Sequence, residues 1–256
     1  MDIWQALLLG IVQGITEFLP VSSSGHLVII QELFKIKAGI LFDIILHIGS
    51  LIAVLIFFRK EIMRIIKSFF INDKENRKLG FLIITTTVFT GLLGFILKDF
   101  VESLFTSTLW VGIGLIVTGI VLYLTKFVKE NKRTLSFKHS IIIGLVQAIS
   151  LIPGISRSGS TISAALYLGI NREVAARFSF LVFIPAILGS LVIKLYEENL
   201  ENLDIGALVI GFIASFIVSL VALKYLFKLL INPKFYMFSY YCLVVGIIIS
   251  VISILL

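Results

Sequence analysis

The sequence predicts an all-α, polytopic membrane protein with six spanning helices and two re-entrant helical hairpins, arranged as two inverted-topology repeats. Three observations lead to this fold class: the composition, a pair of similar broken segments, and an uneven distribution of charge. Of the 256 residues, 59% are hydrophobic and only 14% are charged, with a mean hydropathy of +1.10. A soluble chain of this length would need a charged surface to cover its core, so lipid must cover most of this one.

Two segments that lie half a chain apart resemble each other. The first reads QGITEFLPVSSSGH at 13–26 and the second QAISLIPGISRSGST at 147–161, and their glutamines are 134 residues apart. Duplicated, Pro- and Gly-broken polar segments in matching positions of two hydrophobic halves are typical of an intramembrane site built from inverted repeats. We therefore expect a single transmembrane domain over 1–256, with repeat one at about 1–130 and repeat two at about 135–256.

Basic residues cluster in three connections, which indicates topology rather than nucleic-acid binding. Lys and Arg outnumber Asp and Glu by seven to three at 59–78, by five to one at 126–138, and by three to none at 224–234. Because an excess of Lys and Arg marks cytoplasmic loops, these connections should face the cytoplasm. The acidic or mixed connections at 98–102 and 194–204 should face outward. Attraction of the basic loops to anionic lipid head groups predicts the same orientation.

Apolar runs between these connections predict the spanning helices, because each run is close to the length that crosses about 30 Å of hydrocarbon. The six spans fall at roughly 40–58, 80–98, 109–127, 178–195, 206–228 and 237–256. The two similar segments, at roughly 1–33 and 140–168, must then enter and leave the membrane on the same side, or the charge pattern would invert. We expect re-entrant hairpins whose broken tips meet near the midplane, where irregular backbone must be packed in protein or line a wet cavity.

The first hairpin carries ionisable residues at membrane depth. Gln13 and Glu17 are four residues apart and share one face of a helix, which Pro20 should end before the run SSSGH at 22–26. A Ser/Gly turn that leads into a helix presents free backbone N–H groups to an anion. Small residues can also simply allow helices to pack closely in lipid. An ionisable group such as Glu17 or His26, however, costs roughly 2.5–3.5 kcal/mol to insert and is normally functional.

The second hairpin supplies a positive charge. Pro153 and Gly154 break the helix, and Arg157 follows among hydroxyl groups. A guanidinium offers a planar fork of donors that matches phosphate oxygens. The alternative, an arginine that reaches back to the interface, is disfavoured by the position of Arg157 at a hairpin tip. Together the tips offer an acid/base pair, candidate nucleophiles and a phosphate clamp, which is the equipment for phosphoryl transfer to water.

With these motifs the chain resembles the undecaprenyl-diphosphate phosphatase family of the bacitracin-resistance type. The first family motif is Glu or Gln, three residues, Glu, then FLPVSS, Ser or Thr, and GH; it is matched at 13–26. The second, PGxSRSGxT, is matched at 153–161, and weaker similarity covers 42–59 and 175–189. The resemblance implies hydrolysis of a C55 polyprenyl diphosphate to the monophosphate, which recycles the carrier lipid of cell-wall synthesis in the plasma (inner) membrane of a bacterium.

The resemblance also implies an active site drawn from both motifs. The residues that it implies are Glu17, Ser23, His26, Ser156, Arg157 and Thr161, with Gln13 beside them. We expect Glu17, Ser23, His26 and Arg157 to be catalytic and the others to bind substrate, together with the neighbouring hydroxyls of Ser22, Ser24 and Ser158. Many relatives carry Glu where this chain has Gln13, which leaves Glu17 as the only acidic ligand that the motif offers a metal. We expect Mg²⁺ or Ca²⁺ to arrive with the diphosphate, because such cations complete their shell with phosphates and water.

The identity of the nucleophile stays open between a serine and water. Ser23 lies three residues from His26, which makes it the candidate nucleophile, with His26 as base and a phosphoserine as intermediate. Direct attack by water that His26 or Glu17 activates is the alternative. Asp43 and His47, four residues apart near the outer end of the first span, either line the entrance or are simply solvated.

A secondary transporter is the rival class, because inverted repeats with broken helices also build transporters and Arg157 could bind an anionic substrate. A flippase of a lipid phosphate belongs to the same class, and a hybrid protein would both hydrolyse the lipid and help to return it across the bilayer. The hydroxyls, His26 and Glu17 favour the phosphatase, since a transporter needs neither a nucleophile nor a base. The partners that we expect are the polyprenyl diphosphate and membrane lipids, without nucleic acid, and a homodimer stays open.

Overall fold

In the residues that the computed structural model describes, all regular secondary structure is helical, which confirms the predicted all-α class, while the inverted arrangement of the two repeats stays a prediction. The structure describes residues 1–105, 107–129, 133–197 and 204–255. Part of the predicted topology depends on residues outside this description, namely 198–203 of the acidic connection at 194–204 and 130–132 of the basic connection at 126–138.

Twelve α-helices follow one another along the described chain. The first seven are α1 (Ile3–Thr16), α2 (Ser23–Leu33), α3 (Ile40–Phe57), α4 (Arg59–Ser68), α5 (Lys74–Ile96), α6 (Lys98–Leu104) and α7 (Thr108–Leu124). The other five are α8 (Phe137–Ile149), α9 (Arg157–Tyr167), α10 (Arg172–Glu197), α11 (Ile205–Leu230) and α12 (Phe238–Leu255). Short 3-10 segments at Thr125–Phe127 and Pro233–Met237 follow α7 and precede α12.

Five of these helices, α5, α7, α10, α11 and α12, are long and apolar enough to cross a membrane. Helices α3 and α4 form a sixth candidate, broken by a bend of 73°. The six predicted spans therefore match helices in the structure, and α5 and α10 each begin six residues before the predicted start. The chain is a multi-pass membrane protein.

The bend between α3 and α4 follows a change in composition. Helix α3 is mostly apolar, whereas α4 reads RKEIMRIIKS and carries four basic residues. Charge at this density does not continue a span through hydrocarbon, but an amphipathic helix can lie along the interface. The predicted end of the first span is therefore the point at which the chain turns away from its axis.

Each predicted hairpin is a pair of short helices joined by a turn, α1 with α2 and α8 with α9. A serine caps the second helix of each pair. Ser22 Oγ accepts from the Gly25 N–H at 3.2 Å, and Ser156 Oγ accepts from the Gly159 N–H at 3.1 Å. Such caps satisfy amide groups that the start of a helix leaves free. The Ser/Gly clusters thus build the helix starts that the sequence predicts.

The first helix ends earlier than predicted. We expected Pro20 to end it, but α1 stops at Thr16. Pro20 has no N–H to donate to the Thr16 carbonyl, and its ring disfavours helical φ and ψ angles for the residue before it, so the regular helix ends before it reaches the proline. Glu17 nevertheless keeps helical φ and ψ angles of −60° and −39°, so it shares a face with Gln13 as expected.

The first helix of each hairpin packs against a spanning helix of the other half. Helix α1 of the first half packs along α11, and α8 of the second half packs along α5. Glycines permit both contacts. A Cβ on Gly10 would lie 2.6 Å from the Gly211 carbonyl oxygen, and one on Gly144 would lie 2.6 Å from that of Thr86. Close approach at small residues is how helices associate in lipid. This reciprocal packing is what two related halves would produce, and their opposite orientation stays a prediction.

Gly154, in the turn of the second hairpin, leaves no room for a side chain. Its φ is +85°, and a Cβ would lie 2.1 Å from the Val111 carbonyl oxygen of α7. Because backbone strain and overpacking add, we expect Gly154→Ala to lower the free energy of unfolding by about 2 kcal/mol or more. Thermal unfolding in detergent measures the loss. Gly91→Ala is the matched control, since a Cβ there meets nothing within 4 Å; equal losses in both variants would contradict the expectation.

Candidate active site

The turns of the two hairpins touch each other inside the protein. Ser158 Oγ donates to the Leu19 carbonyl oxygen at 3.0 Å. A Cβ on Gly25 would lie 3.2 Å from Gly154 Cα, so the two backbones approach closely where both motifs carry glycine. The broken tips therefore meet, as the sequence predicts.

A buried ion pair joins the tips. Arg157 Nη2 donates to Glu17 Oε1 at 2.8 Å, and the two side chains are only 15% and 6% exposed. The glutamate follows α1 and the arginine begins α9, so each half of the chain supplies one charge. Either charge would be strongly destabilising if it were buried alone, and each compensates the other here.

Helix α10 holds the arginine from the other side. The guanidinium carbon of Arg157 lies 4.0 Å from the centre of the Phe183 ring, and Nη1 donates to the Ser179 carbonyl oxygen at 3.3 Å. The Ser179 hydroxyl also shares a 2.6 Å hydrogen bond with Thr161 Oγ1. An aromatic face and a fixed carbonyl together orient the planar guanidinium. Thr161, a predicted substrate-binding residue, thus lies beside Arg157, one turn further along α9.

Glu17 is the centre of the polar cluster. Its Oε2 accepts from Ser23 Oγ at 2.5 Å and from Gln13 Nε2 at 3.0 Å. His47 Nε2 lies 3.6 Å from the same oxygen. A hydroxyl, an amide, an imidazole and the Arg157 guanidinium therefore surround one carboxylate, and Ser23 is held against a group that can accept its proton.

The hydrogen bonds of the His26 ring go to residues other than Ser23, and the predicted roles of the two as base and nucleophile stay predictions. Its Nδ1 lies 2.7 Å from the Ser22 carbonyl oxygen, and its Nε2 lies 2.7 Å from the Tyr241 hydroxyl of α12. The carbonyl fixes the ring so that Nε2 points towards α12, while the Ser23 hydroxyl turns to Glu17. The side chain that contacts the Ser23 hydroxyl is therefore the Glu17 carboxylate.

The hydrogen bonds of the other serines in the motifs are made to the helix starts and to one another. Ser22 and Ser156 cap α2 and α9, and each also shares a 3.3 Å contact with the serine two residues further on, Ser24 or Ser158. Ser22, Ser156 and Ser158 are buried, whereas Ser24 is partly exposed. Their roles in substrate binding stay predictions.

Three residues at the site, His47, Ser179 and Tyr241, were not predicted from the sequence as part of it. The sequence leaves His47 either at the entrance or solvated, but the structure places it against Glu17. The available signal was its spacing from Asp43, whose carbonyl oxygen lies 2.7 Å from His47 Nδ1. Ser179 and Tyr241 belong to neither motif. Ser179 lies within the weaker similarity at 175–189, which was the available signal for it, whereas no sequence pattern points to Tyr241.

Oxygen ligands for a cation are few in this cluster. Gln13 Oε1 is buried beside Glu17 and accepts no hydrogen bond from the described residues. Among those residues, no group of three or more His, Cys, Asp or Glu could hold a metal. An amide oxygen and a carboxylate are the hard ligands that Mg²⁺ and Ca²⁺ prefer, so the two residues fit part of a coordination shell that substrate and water would complete.

Comparison with known proteins gives relatives over the length of the chain. Residues 6–248 match the family described as bacitracin resistance protein BacA. A protein of Methanosphaera stadtmanae named undecaprenyl-diphosphatase is 42% identical over 275 residues, which cover 100% of both chains. One of the same name from Carboxydothermus hydrogenoformans is 44% identical and covers 99% of this chain and 98% of its own. Undecaprenyl-diphosphatase 1 of Bacillus cereus is 39% identical, with 94% of each chain covered.

Loss of one member of the buried ion pair should destabilise the fold. Glu17→Gln leaves the Arg157 charge buried without its counter-ion, so we expect the free energy of unfolding to fall by about 3–5 kcal/mol. The double variant Glu17→Gln/Arg157→Met should recover part of this loss, because it removes both charges. Thermal unfolding of the single and double variants in detergent makes the comparison.

An exposed glutamate provides the matched control for this experiment. Glu173 pairs with Arg177 at 2.9 Å, but the two side chains are 53% and 43% exposed. Glu173→Gln should therefore cost less than about 1 kcal/mol. Equal losses from Glu17→Gln and Glu173→Gln, or a double variant no more stable than the single one, would contradict the structural role of the buried pair.

Proposed function

The chain belongs to the bacitracin resistance protein BacA family, and we propose that the cluster around Glu17 and Arg157 is its active site. The protein is an integral-membrane phosphatase that hydrolyses undecaprenyl diphosphate to the monophosphate and inorganic phosphate, and so recycles the carrier lipid of cell-wall synthesis. One observation carries the assignment of the site: a buried carboxylate contacts both a serine hydroxyl and a guanidinium from the other half of the chain.

Arg157 is the proposed phosphate clamp. A guanidinium has five N–H donors, and the contacts with Glu17 and Ser179 engage one on Nη2 and one on Nη1. The remaining donors can bind the oxygens of the terminal phosphate and stabilise the charge that develops on it during transfer. Phe183 holds the plane of the group, so little reorganisation is needed when the substrate binds.

The same ion pair couples substrate binding to activation of the base. A diphosphate bound to Arg157 competes with Glu17 for the positive charge of the guanidinium. The carboxylate, still in contact with Ser23 Oγ at 2.5 Å, is then better able to accept a proton. Ser23 is therefore activated when the phosphate is in place.

The proposed reaction has two steps through Ser23. Ser23 Oγ attacks the terminal phosphorus while its proton passes to Glu17 Oε2, and the bond from phosphorus to the bridging oxygen breaks to release the lipid monophosphate. Water then attacks the phosphoserine, Glu17 returns its proton to Ser23 Oγ, and the water proton leaves on inorganic phosphate. Direct attack by water, with Glu17 as base, is the alternative for the same site.

A divalent cation, Mg²⁺ or Ca²⁺, would be held by Glu17, by Gln13 Oε1 and by the phosphates of the substrate. Two protein oxygens suffice because these cations retain water and substrate oxygens in their shell. When bound, the cation would neutralise charge on the diphosphate.

His26 has a proposed place at the edge of the site, where Tyr241 positions it. Since a carbonyl only accepts, the contact with Ser22 places a hydrogen on Nδ1, and the neutral ring then accepts from the Tyr241 hydroxyl at Nε2. The proton of the departing phosphate can reach Nε2 only through the Tyr241 hydroxyl, which gives its own hydrogen to the ring and takes the phosphate proton in its place.

A transporter or flippase is not favoured, because the relatives are named for a diphosphatase and the site contains a hydroxyl held against a base. The cluster is complete within one chain, so the proposed chemistry does not require a homodimer. The plasma (inner) membrane of a bacterium is the location that we propose, since the carrier lipid serves cell-wall synthesis there.

Phosphate release from undecaprenyl diphosphate by the purified protein in detergent tests the proposed site. Arg157→Ala should lower kcat by about 10²–10³, the contribution of a donor to developing charge. Acid quench during turnover should trap a phosphoenzyme in the unaltered protein and none in Ser23→Ala. Ser103→Ala, which alters an exposed hydroxyl of α6, is the control and should retain both turnover and the phosphoenzyme.

The outcomes of this experiment test the location of the site and the identity of the nucleophile separately. Near-normal turnover in Arg157→Ala would refute the site. The absence of any phosphoenzyme, together with substantial turnover in Ser23→Ala, would replace the serine by water as nucleophile and leave the roles of Glu17 and Arg157 in place.

The positioning role of Tyr241 gives a further prediction. Tyr241→Phe removes the hydroxyl that contacts His26 and keeps the aromatic ring, so we expect kcat to fall about tenfold or more, with KM within about twofold. Tyr240→Phe is the control, because this neighbour in α12 faces the ring of Tyr123 at 6.2 Å instead. A loss confined to KM, or equal losses in the two variants, would remove the positioning role.

A further inference from the structure

The exposed side of α4 carries a basic groove that the proposed chemistry does not use. The groove has a volume of about 400 Å³ and is lined by Arg59, Lys60, Met63, Arg64 and Lys67, all of them exposed. Residues three and four apart lie on the same side of a helix, so the four cations share one face.

These cations have no acidic partner among the described residues. Glu61, the one acidic residue of α4, faces α10, where it pairs with Arg177 at 3.2 Å. The side-chain contact of Arg59 is to the Ile56 carbonyl oxygen at 3.4 Å. Four like charges along one groove repel each other, so an anion bound between them would be stabilised.

The position of α4 places this groove at the membrane surface. The helix turns by 73° from the axis of α3 and buries Ile65 and Ser68 against the protein. Met63, Ile66 and Phe70 are 49%, 48% and 87% exposed. Exposed apolar side chains beside a basic face are typical of a helix that lies in the interface, with its apolar flank among the acyl chains.

We propose that the α4 groove binds the head group of an anionic phospholipid. Its cations complement a phosphate, and the two arginines can each donate two parallel N–H bonds to phosphate oxygens. Met63 and Ile66 provide the apolar surface along which acyl chains would continue. Inorganic phosphate shares the head-group chemistry but has no acyl chain, so it would use only part of this surface.

Lipid binding to the whole protein in nanodiscs tests the proposal. The probes are spin-labelled phosphatidylglycerol and spin-labelled phosphatidylcholine, whose motionally restricted fractions give their relative affinities. We expect the unaltered protein to prefer phosphatidylglycerol. Lys60→Gln/Arg64→Gln/Lys67→Gln should reduce this preference at least about tenfold, because each basic residue near a membrane surface contributes roughly fivefold.

A triple variant with the same change in net charge is the matched control. Lys35→Gln/Lys37→Gln/Lys234→Gln alters exposed lysines outside the groove and should reduce the preference much less than the groove variant does. Both triple variants should retain phosphatase activity in detergent, which shows that they are folded and separates this inference from the proposed function. The charge-conserving variant Lys60→Arg/Lys67→Arg should keep the preference.

Three results would overturn the proposal. The first is an unchanged preference in the groove variant, and the second is an equal loss in the control variant. The third is displacement of the labelled phosphatidylglycerol by inorganic phosphate at constant ionic strength, which would assign the groove to the free anion.

Discussion

The ion pair of Glu17 and Arg157 holds the two halves of the chain together at their buried tips. A carboxylate and a guanidinium that are 6% and 15% exposed must be paired, because either alone would be strongly destabilising. The turn after α1 and the start of α9 must therefore meet at one point. The contacts of Phe183 and Ser179 with the guanidinium and of Gln13 with the carboxylate keep them there. The same two charges can then act as phosphate clamp and base.

The breaks in the hairpin helices allow this ion pair to form inside a membrane protein. A continuous helix satisfies all of its backbone groups internally, whereas a helix start has free amide groups and the positive end of the helix dipole. At both tips a serine, Ser22 or Ser156, satisfies part of this start. Gly25 and Gly154 allow the two turns to approach, so the irregular backbone is enclosed by protein rather than by lipid.

The spanning helices and the meeting of the tips could be predicted because they depend on long apolar runs and on two unusual motifs. The orientation of single side chains could not. A spacing of three residues suggested His26 as the base for Ser23. The Ser22 carbonyl instead orients the His26 ring towards Tyr241, which lies 215 residues after His26 in the sequence. Contacts made by α10 and α12 arise only when the whole fold is assembled. The same is true of His47, whose spacing alone does not reveal the carboxylate that it faces.

Gln13 limits this cluster to a single carboxylate. Its Nε2 donates to Glu17 at 3.0 Å, in a position where the family motif also accepts a glutamate. Two carboxylates at that distance would repel each other, and one would need a proton or a cation to remain there. The amide instead stabilises the single carboxylate and leaves a neutral, buried Oε1 beside it. The cluster therefore presents one carboxylate against one guanidinium, and an anionic diphosphate meets less repulsion in it than it would between two acids.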